Sequence, residues 1–393
     1  MRIVVIAACP FPAPRGSPIR ALRTAQALAE LGHRVDVVTY HLGNSSAIPQ
    51  IDGLSVHRIP TVGFYKKVSP GPSLSKLAIL DPLLVRETLR VARLYKTDIV
   101  YAHHYEGLLV GLAVRWLLKC PVVYDSHTLL ESELPSYFPA LLKPVSRRIG
   151  NWLDTALPRR ADHTVAVTEE IAVQLKSVRP SASGVSVISN GVEISHFAGV
   201  QWAPKLNEGQ AKTVIFTGNL SPYQGIDLLL EAFAALRRRR NDVRLRIVTN
   251  DDFDRYISGA RKLNIADQID VVSSVFEVLP DELTGADIAV NPRVVGSGIP
   301  QKLLNYMAVG MPIVSFAGTA RGILPNETGL VVPDGDIDAF ATAMDRLLDD
   351  YDLAWKMGNS AREYVSSIGD WQMTGRRLEQ VFSDVLAQHD STA

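Results

Sequence analysis

Short apolar runs alternate with stretches of helical periodicity twice along this chain, and that alternation restricts its fold more than any other feature. The first series comprises Arg2–Ala8, Val35–Thr39, Asp98–Ala102, Pro121–Tyr124, Thr164–Val167 and Val185–Ile188. Continuous apolar runs mark strands buried on both faces. Helical stretches between them, such as Ile19–Leu31 with Gly32 as its stop, predict a doubly wound parallel sheet. After an irregular polar stretch around Phe197–Gln210 the series restarts with Thr213–Phe216, Arg244–Val248, Ile269–Val272, Ile288–Val290 and Ile313–Val314. Its helices are Gly225–Arg239, Phe253–Lys262, Pro300–Val309 and Ile337–Leu348. The reading is α/β: one Rossmann-like domain over 1–198, a second over 199–369, and a helix over 370–393 that packs back on the first. A length of 393 residues suits two domains of ~100–200 residues each.

Composition narrows the class. Apolar residues at 47% and charged residues at 21% are ordinary globular usage, which excludes disordered and collagen-like chains. No apolar run reaches the ~18 residues of a membrane span, since the stretch from Leu108 to Val114 stops at Arg115. The opening MRIVVIAACPFP meets proline without a small-residue cleavage site, so it is expected to be the first strand, not a signal peptide. With two cysteines, Cys9 and Cys120, the expected location is cytoplasmic. The net charge of zero hides an asymmetry: residues 1–198 hold 22 Lys and Arg against 15 Asp and Glu, and the remainder 19 against 26. Neutrality argues against nucleic acid as a partner, while the basic first half admits peripheral contact with an anionic membrane. The stretch Leu141–Leu157 mixes apolar residues with Lys143, Arg147 and Arg148, a pattern suited to a membrane surface or to internal packing.

Ligands of open α/β sheets bind beyond the carboxyl ends of the strands, so chemistry is sought there, in a cleft between the two domains. Pro14-Arg15-Gly16-Ser17-Pro18 joins the first strand to a helix, where free amides favour an anion and Gly16 permits close approach. It is not a GxGxxG fingerprint, which argues against a dinucleotide dehydrogenase. Phe216-Thr217-Gly218-Asn219-Leu220 followed by Ser221-Pro222-Tyr223-Gln224-Gly225 repeats the geometry in the second domain. Gly296-Ser297-Gly298 before the helix carrying Lys302, Leu303 and Asn305, with Arg293 upstream, suits a diphosphate held by amides and two cations. Asp125-Ser126-His127 follows one strand and His103-His104 another; histidines beside carboxylates orient hydroxyls or exchange protons near neutrality. Their spacing matches no specific metal motif.

Taken in order, PFPAPRGSPIRALRTAQALAELGHRVDVVTY, VVYDSHTLLESELP, VISNGVEISHF, FTGNLSPYQGIDLLLEAF, IPQKLLNYMAVGMPIVSF and ETGLVVPDGD resemble the retaining glycosyltransferases of family 4, over nearly the whole chain. The resemblance implies the GT-B fold, with two Rossmann-like domains facing across a cleft. It implies a sugar-nucleotide donor on the C-terminal domain, a saccharide or lipid-linked acceptor on the N-terminal domain, and no cofactor or required metal. Gly16 matches the glycine approaching donor and acceptor, His127 the histidine near the transferred sugar, and the loop after Gly218 the diphosphate loop. Arg15, His103 and His104 are placed on the acceptor side, and Asp125 behind His127. The sequence departs from the family at Asn219 and Gln224, where arginine and lysine are usual, and at Ser297 and Asn305, where paired glutamates are usual. Lys302 and Arg293 are expected to supply the missing positive charge, with Asn305 at the ribose. A binding relative without turnover, and an epimerase or hydrolase on the same fold, are the alternatives at this level.

Overall fold

The computed structural model describes residues 1–13, 16–44, 46, 48–66, 71, 73, 75–178, 184–204, 211–296 and 298–392. The chain divides into two compact units, one formed by Met1–Gly191 with Trp371–Ala393, the other by Val192–Asp370.

In the first unit, strands β1 (Arg2–Ala7), β2 (Arg34–Thr39), β3 (Leu54–Arg58), β4 (Ile99–His103), β5 (Val122–Ser126), β6 (His163–Ala166) and β7 (Val185–Val187) form a parallel sheet. Its order is β3-β2-β1-β4-β5-β6-β7. Side chains alternate across a strand, so Ile3, Val5 and Ala7 enter one core with the helix Gly16–Glu30. Val4 and Ile6 enter the other, with the helices Asp81–Tyr95 and His104–Leu118. The helix Trp371–Thr392 belongs to this unit: its Leu378, Val381, Phe382 and Val385 are buried with Ala21, Ala25 and Leu28.

The second unit repeats the plan with β8 (Lys212–Thr217), β9 (Val243–Val248), β10 (Ile269–Val272), β11 (Ile288–Asn291), β12 (Ile313–Phe316) and β13 (Leu330–Val332). The order is β10-β9-β8-β11-β12-β13, again parallel. Two edge strands, β3 and β13, were not foreseen from sequence. Leu54–Arg58 is half-exposed and mixed in polarity, and Leu330–Val332 is three residues long, so neither shows the continuous apolar run of a central strand. The boundary expected at residue 198 falls inside the second unit, because Val192 and Phe197 are buried in its core. Among the described residues, no helix is long and apolar enough to cross a membrane.

Candidate active site

Strand order reverses between β1 and β4 in the first sheet and between β8 and β11 in the second. Such switch points open a crevice at the carboxyl ends of the strands, and both units gather their polar side chains there.

In the first unit, β4 and β5 end in register with His103 opposite Asp125. Asp125 is fully buried, and Arg20, on the helix that follows β1, closes on it with two parallel bonds: Nε to Oδ2 at 2.7 Å and Nη2 to Oδ1 at 3.0 Å. The guanidinium also donates to the Ile188 carbonyl and to Asn190 Oδ1. This is the fork geometry that arginine offers a carboxylate. Burial alone would raise the Asp125 carboxyl, but Arg20 and the neighbouring histidines hold it well below the usual carboxylate range. His127 Nε2 lies 3.1 Å from Asp125 Oδ2 and 2.9 Å from His103 Nδ1, and His103 Nδ1 is 3.1 Å from the same carboxylate oxygen. The carboxylate only accepts, so it fixes an inward-facing ring proton. Burial, then the charge of His104, holds His127 well below the ordinary imidazole value despite Asp125; burial likewise lowers His103. The His104 ring centre stands 4.3 Å from that of His127. His104 adopts φ of 61°, a conformation uncommon outside glycine.

His103, Asp125 and His127 have the composition of a metal site, with their ligand-type atoms within 4.8 Å of one another. Their mutual spacings of 2.9–3.1 Å are hydrogen-bond distances, whereas the ligand atoms of a tetrahedral zinc ion stand ~3.3 Å apart. Arg20 already balances the carboxylate. In this arrangement the donor set is tied together by protons and by one internal cation.

In the second unit, β8 leads into Gly218, at φ of 135°. Lys302, from the helix Gln301–Val309, reaches this turn: its Nζ would stand 3.7 Å from a Cβ built at Gly218. Its Nζ donates to Gln224 Oε1 at 2.7 Å and lies 3.9 Å from the centre of the Phe216 ring. Among the described residues Lys302 has no carboxylate partner. Burial, then the charge of Arg293, holds its amine well below the ordinary lysine value. Arg293 stacks 4.9 Å from the centre of the Tyr223 ring and donates to the Val295 carbonyl. Asn219 builds the turn: Oδ1 accepts from the Ser221 amide and Nδ2 donates to Tyr223 Oη.

The expected residues therefore separate. His127, Asp125, His103 and His104 come together in one unit; Gly218, Asn219, Gln224, Arg293 and Lys302 in the other. Asp125 is sealed behind His127 and Arg20, so it positions the histidine and cannot meet a substrate. His103 is buried in the same group and is no acceptor-facing surface residue. Leu303 is fully buried core, so its side chain is unavailable to a ligand. Asn305 and Gly298 are half-buried, and Gly16 opens its helix with no described atom within 4 Å of a built Cβ. Arg15 and Ser297 lie outside the described residues. Sequence reading missed Arg20; the signal was a charged side chain on the apolar face of a helix, between Ile19 and Ala21. It also missed a polar group beyond β2 and β4, where Tyr40 Oη donates to Asp81 and Lys76 pairs with Glu106. Burial, with the nearby Glu106, pushes Asp81 up to about 6.

Two doubly wound parallel units, with a buried acid–histidine group in one and a cationic glycine turn in the other, define a glycosyltransferase of the GT-B fold. The chain belongs to glycosyltransferase family 4: the family model described as Glycosyltransferase Family 4 matches residues 14–196, and the one described as Glycosyl transferases group 1 matches 211–350. It is 26% identical over 387 residues to the D-inositol 3-phosphate glycosyltransferase of Kribbella flavida, covering 92% of this chain and 88% of the relative. Among solved structures it resembles sucrose-phosphate synthase from Thermosynechococcus elongatus, with TM-score 0.82, 20% identity and coverage of 98% and 99%. Anabaena HepE in complex with UDP and glucose aligns with TM-score 0.74 at 18% identity, covering 98% of this chain and 99% of HepE.

Proposed function

We propose that this glycosyltransferase moves a sugar from a nucleoside-diphosphate sugar to a hydroxyl of a saccharide or lipid-linked acceptor, with retention at the anomeric carbon and without a metal. The observation that carries this is Lys302: a buried amine beside the Gly218 turn, next to the Arg293 guanidinium and, among the described residues, without a carboxylate partner. Like charges held together at a glycine turn suit a polyanion, and a diphosphate is the anion this reaction releases. The UDP bound by HepE supports a donor of that kind. The family's usual lysine is glutamine at position 224, and Gln224 instead accepts a hydrogen bond from Lys302. The positive charge is thereby supplied from a neighbouring helix.

In the step itself the acceptor oxygen bonds to the anomeric carbon on the face from which the diphosphate leaves. The bond from that carbon to the phosphate oxygen breaks, the oxygen keeps the electron pair, and it takes the acceptor's proton. Lys302 and Arg293 stabilise the charge that grows on the leaving group, in a site where preorganised cations cost no reorganisation. His127, held neutral by burial and oriented by Asp125 through Nε2, has Nδ1 left to hydrogen-bond a sugar hydroxyl. Asn305 is assigned to the ribose.

Thermal unfolding with a panel of nucleoside diphosphates and their sugars tests the reading. A ligand at 100 times its Kd adds ~2.7 kcal/mol of stability. A shift selective for one base is expected; no shift with any of them at saturating concentration would refute a donor site here.

A further inference from the structure

The helix Lys143–Ala156 is inserted the wrong way round for a globular surface. An amphipathic helix ordinarily turns its apolar stripe to the core. Here the buried residues are Ser146, Gly150 and Asp154. Gly150 lies so close to the chain at Leu130 that a Cβ would stand 2.5 Å from the Leu130 carbonyl carbon. Asp154 accepts from the amides of Leu130 and Glu131 at 3.0 and 2.8 Å. The apolar stripe faces water: Leu142, Val145, Ile149 and Trp152, spaced three, four and three apart, are all exposed, Trp152 at 65%, and Leu141 just before them at 88%.

The exposed charges on this helix have one sign. Lys143, Arg147 and Arg148 are exposed beside the stripe, and no Asp or Glu occurs from Leu134 to Leu153. The exposed Arg159 and Arg160 follow the helix. Arg115, paired with Asp162 at 2.8 Å, also bonds the Arg160 carbonyl, which brings up the end of the helix His104–Leu118, where Trp116 is exposed at 80% beside Lys119. Exposed leucine, isoleucine and tryptophan bordered along the helix by Lys143, Arg147 and Arg148 match the interface of an anionic bilayer. A soluble surface would expose the charged face and bury the other.

We propose that this face of the first unit docks on an anionic phospholipid surface, with Leu141, Leu142, Val145, Ile149 and Trp152 entering the headgroup boundary and Arg147 and Arg148 meeting lipid phosphates. The inference deepens the function proposed above, because the buried side of the same helix is capped onto Leu130–Glu133, the segment that follows His127. A membrane seated there lies beside the histidine-bearing loop, so the acceptor is of the class carried by a membrane lipid.

The test is flotation of the full chain with vesicles of phosphatidylcholine alone and with increasing phosphatidylglycerol, with no donor present, so its failure is separable from failure of the donor site. Binding is expected only with phosphatidylglycerol, weakening as salt rises. The double variant Ile149→Glu, Trp152→Glu is expected to abolish it while leaving nucleotide-dependent thermal stabilisation unchanged. Arg147→Gln and Arg148→Gln are each expected to lower partitioning roughly fivefold. Absence of binding to phosphatidylglycerol vesicles at low salt overturns the proposal, as does binding that the double variant leaves intact. So does a concentration-dependent dimer, detected by light scattering, that the same variant dissolves, since the stripe would then be covered by a second copy of the chain.

Discussion

Arg20 neutralises a carboxylate that has no contact with solvent, and its removal would leave that charge buried and unpaired. Arg20→Ala is therefore expected to cost about 3–5 kcal/mol of first-unit stability, the usual penalty for breaking a buried pair from one side, measured by denaturant unfolding. The histidines add a pH signature. His127 and His103 titrate below the ordinary ~6.5 in the folded chain, so beneath that value the unfolded chain binds more protons and stability falls as pH is lowered. Asp125 acts in a separate window: its contribution is full above the ordinary carboxylate range and is lost only as pH falls below it. Melting temperature followed from pH ~8 to ~5 is expected to drop, and His127→Gln to flatten the slope. At Lys302, a bound diphosphate reverses the effects of burial and of Arg293, so nucleotide binding is expected to take up a proton and to weaken as pH rises. Calorimetry in buffers of different ionisation enthalpy reads this directly, and Lys302→Ala is expected to remove it. The same substitution is expected to lower turnover by ~10²–10³-fold; full activity would refute its role.

The strand–helix alternation was legible because central parallel strands are buried on both faces and show unbroken apolar runs. The helix Lys143–Ala156 was not: its apolar periodicity reads equally well as inward or outward, and only Gly150 and Asp154 against Leu130 and Glu131 decide which side packs. Gly150→Ala is expected to force the helix away from the segment following His127, lowering both turnover and melting temperature while nucleotide binding by the second unit is retained. Loss of nucleotide binding as well would mean that the second unit depends on this contact. The loop residues Asn219 and Gln224 were legible as departures from the family pattern. What they do was not, because Asn219 builds the turn and Gln224 serves Lys302, which lies 78 positions further on.

Across the whole molecule, the chain leaves its first unit at Gly191 and returns to it at Trp371, so the first unit's core is completed by the last residues of the sequence. Phe382 is fully buried among Ala21, Leu28 and Tyr101, and Phe382→Ala is expected to cost about 3–5 kcal/mol. The cost should appear in one of two unfolding transitions, with the nucleotide-stabilised transition unmoved; a shift of both would show that the units unfold together. By itself the sequence determined the fold class, the two-unit plan and the strand ends at which chemistry collects. These follow from local periodicity and from the rule that α/β sheets present their loops at one end. The tertiary structure alone decided that Ile149 and Trp152 turn outward, and which polar residues face each other: Arg20 with Asp125 and Lys302 with Gln224. Such pairings join residues far apart in the chain, and burial fixes their charge and orientation in ways that no stretch of sequence carries.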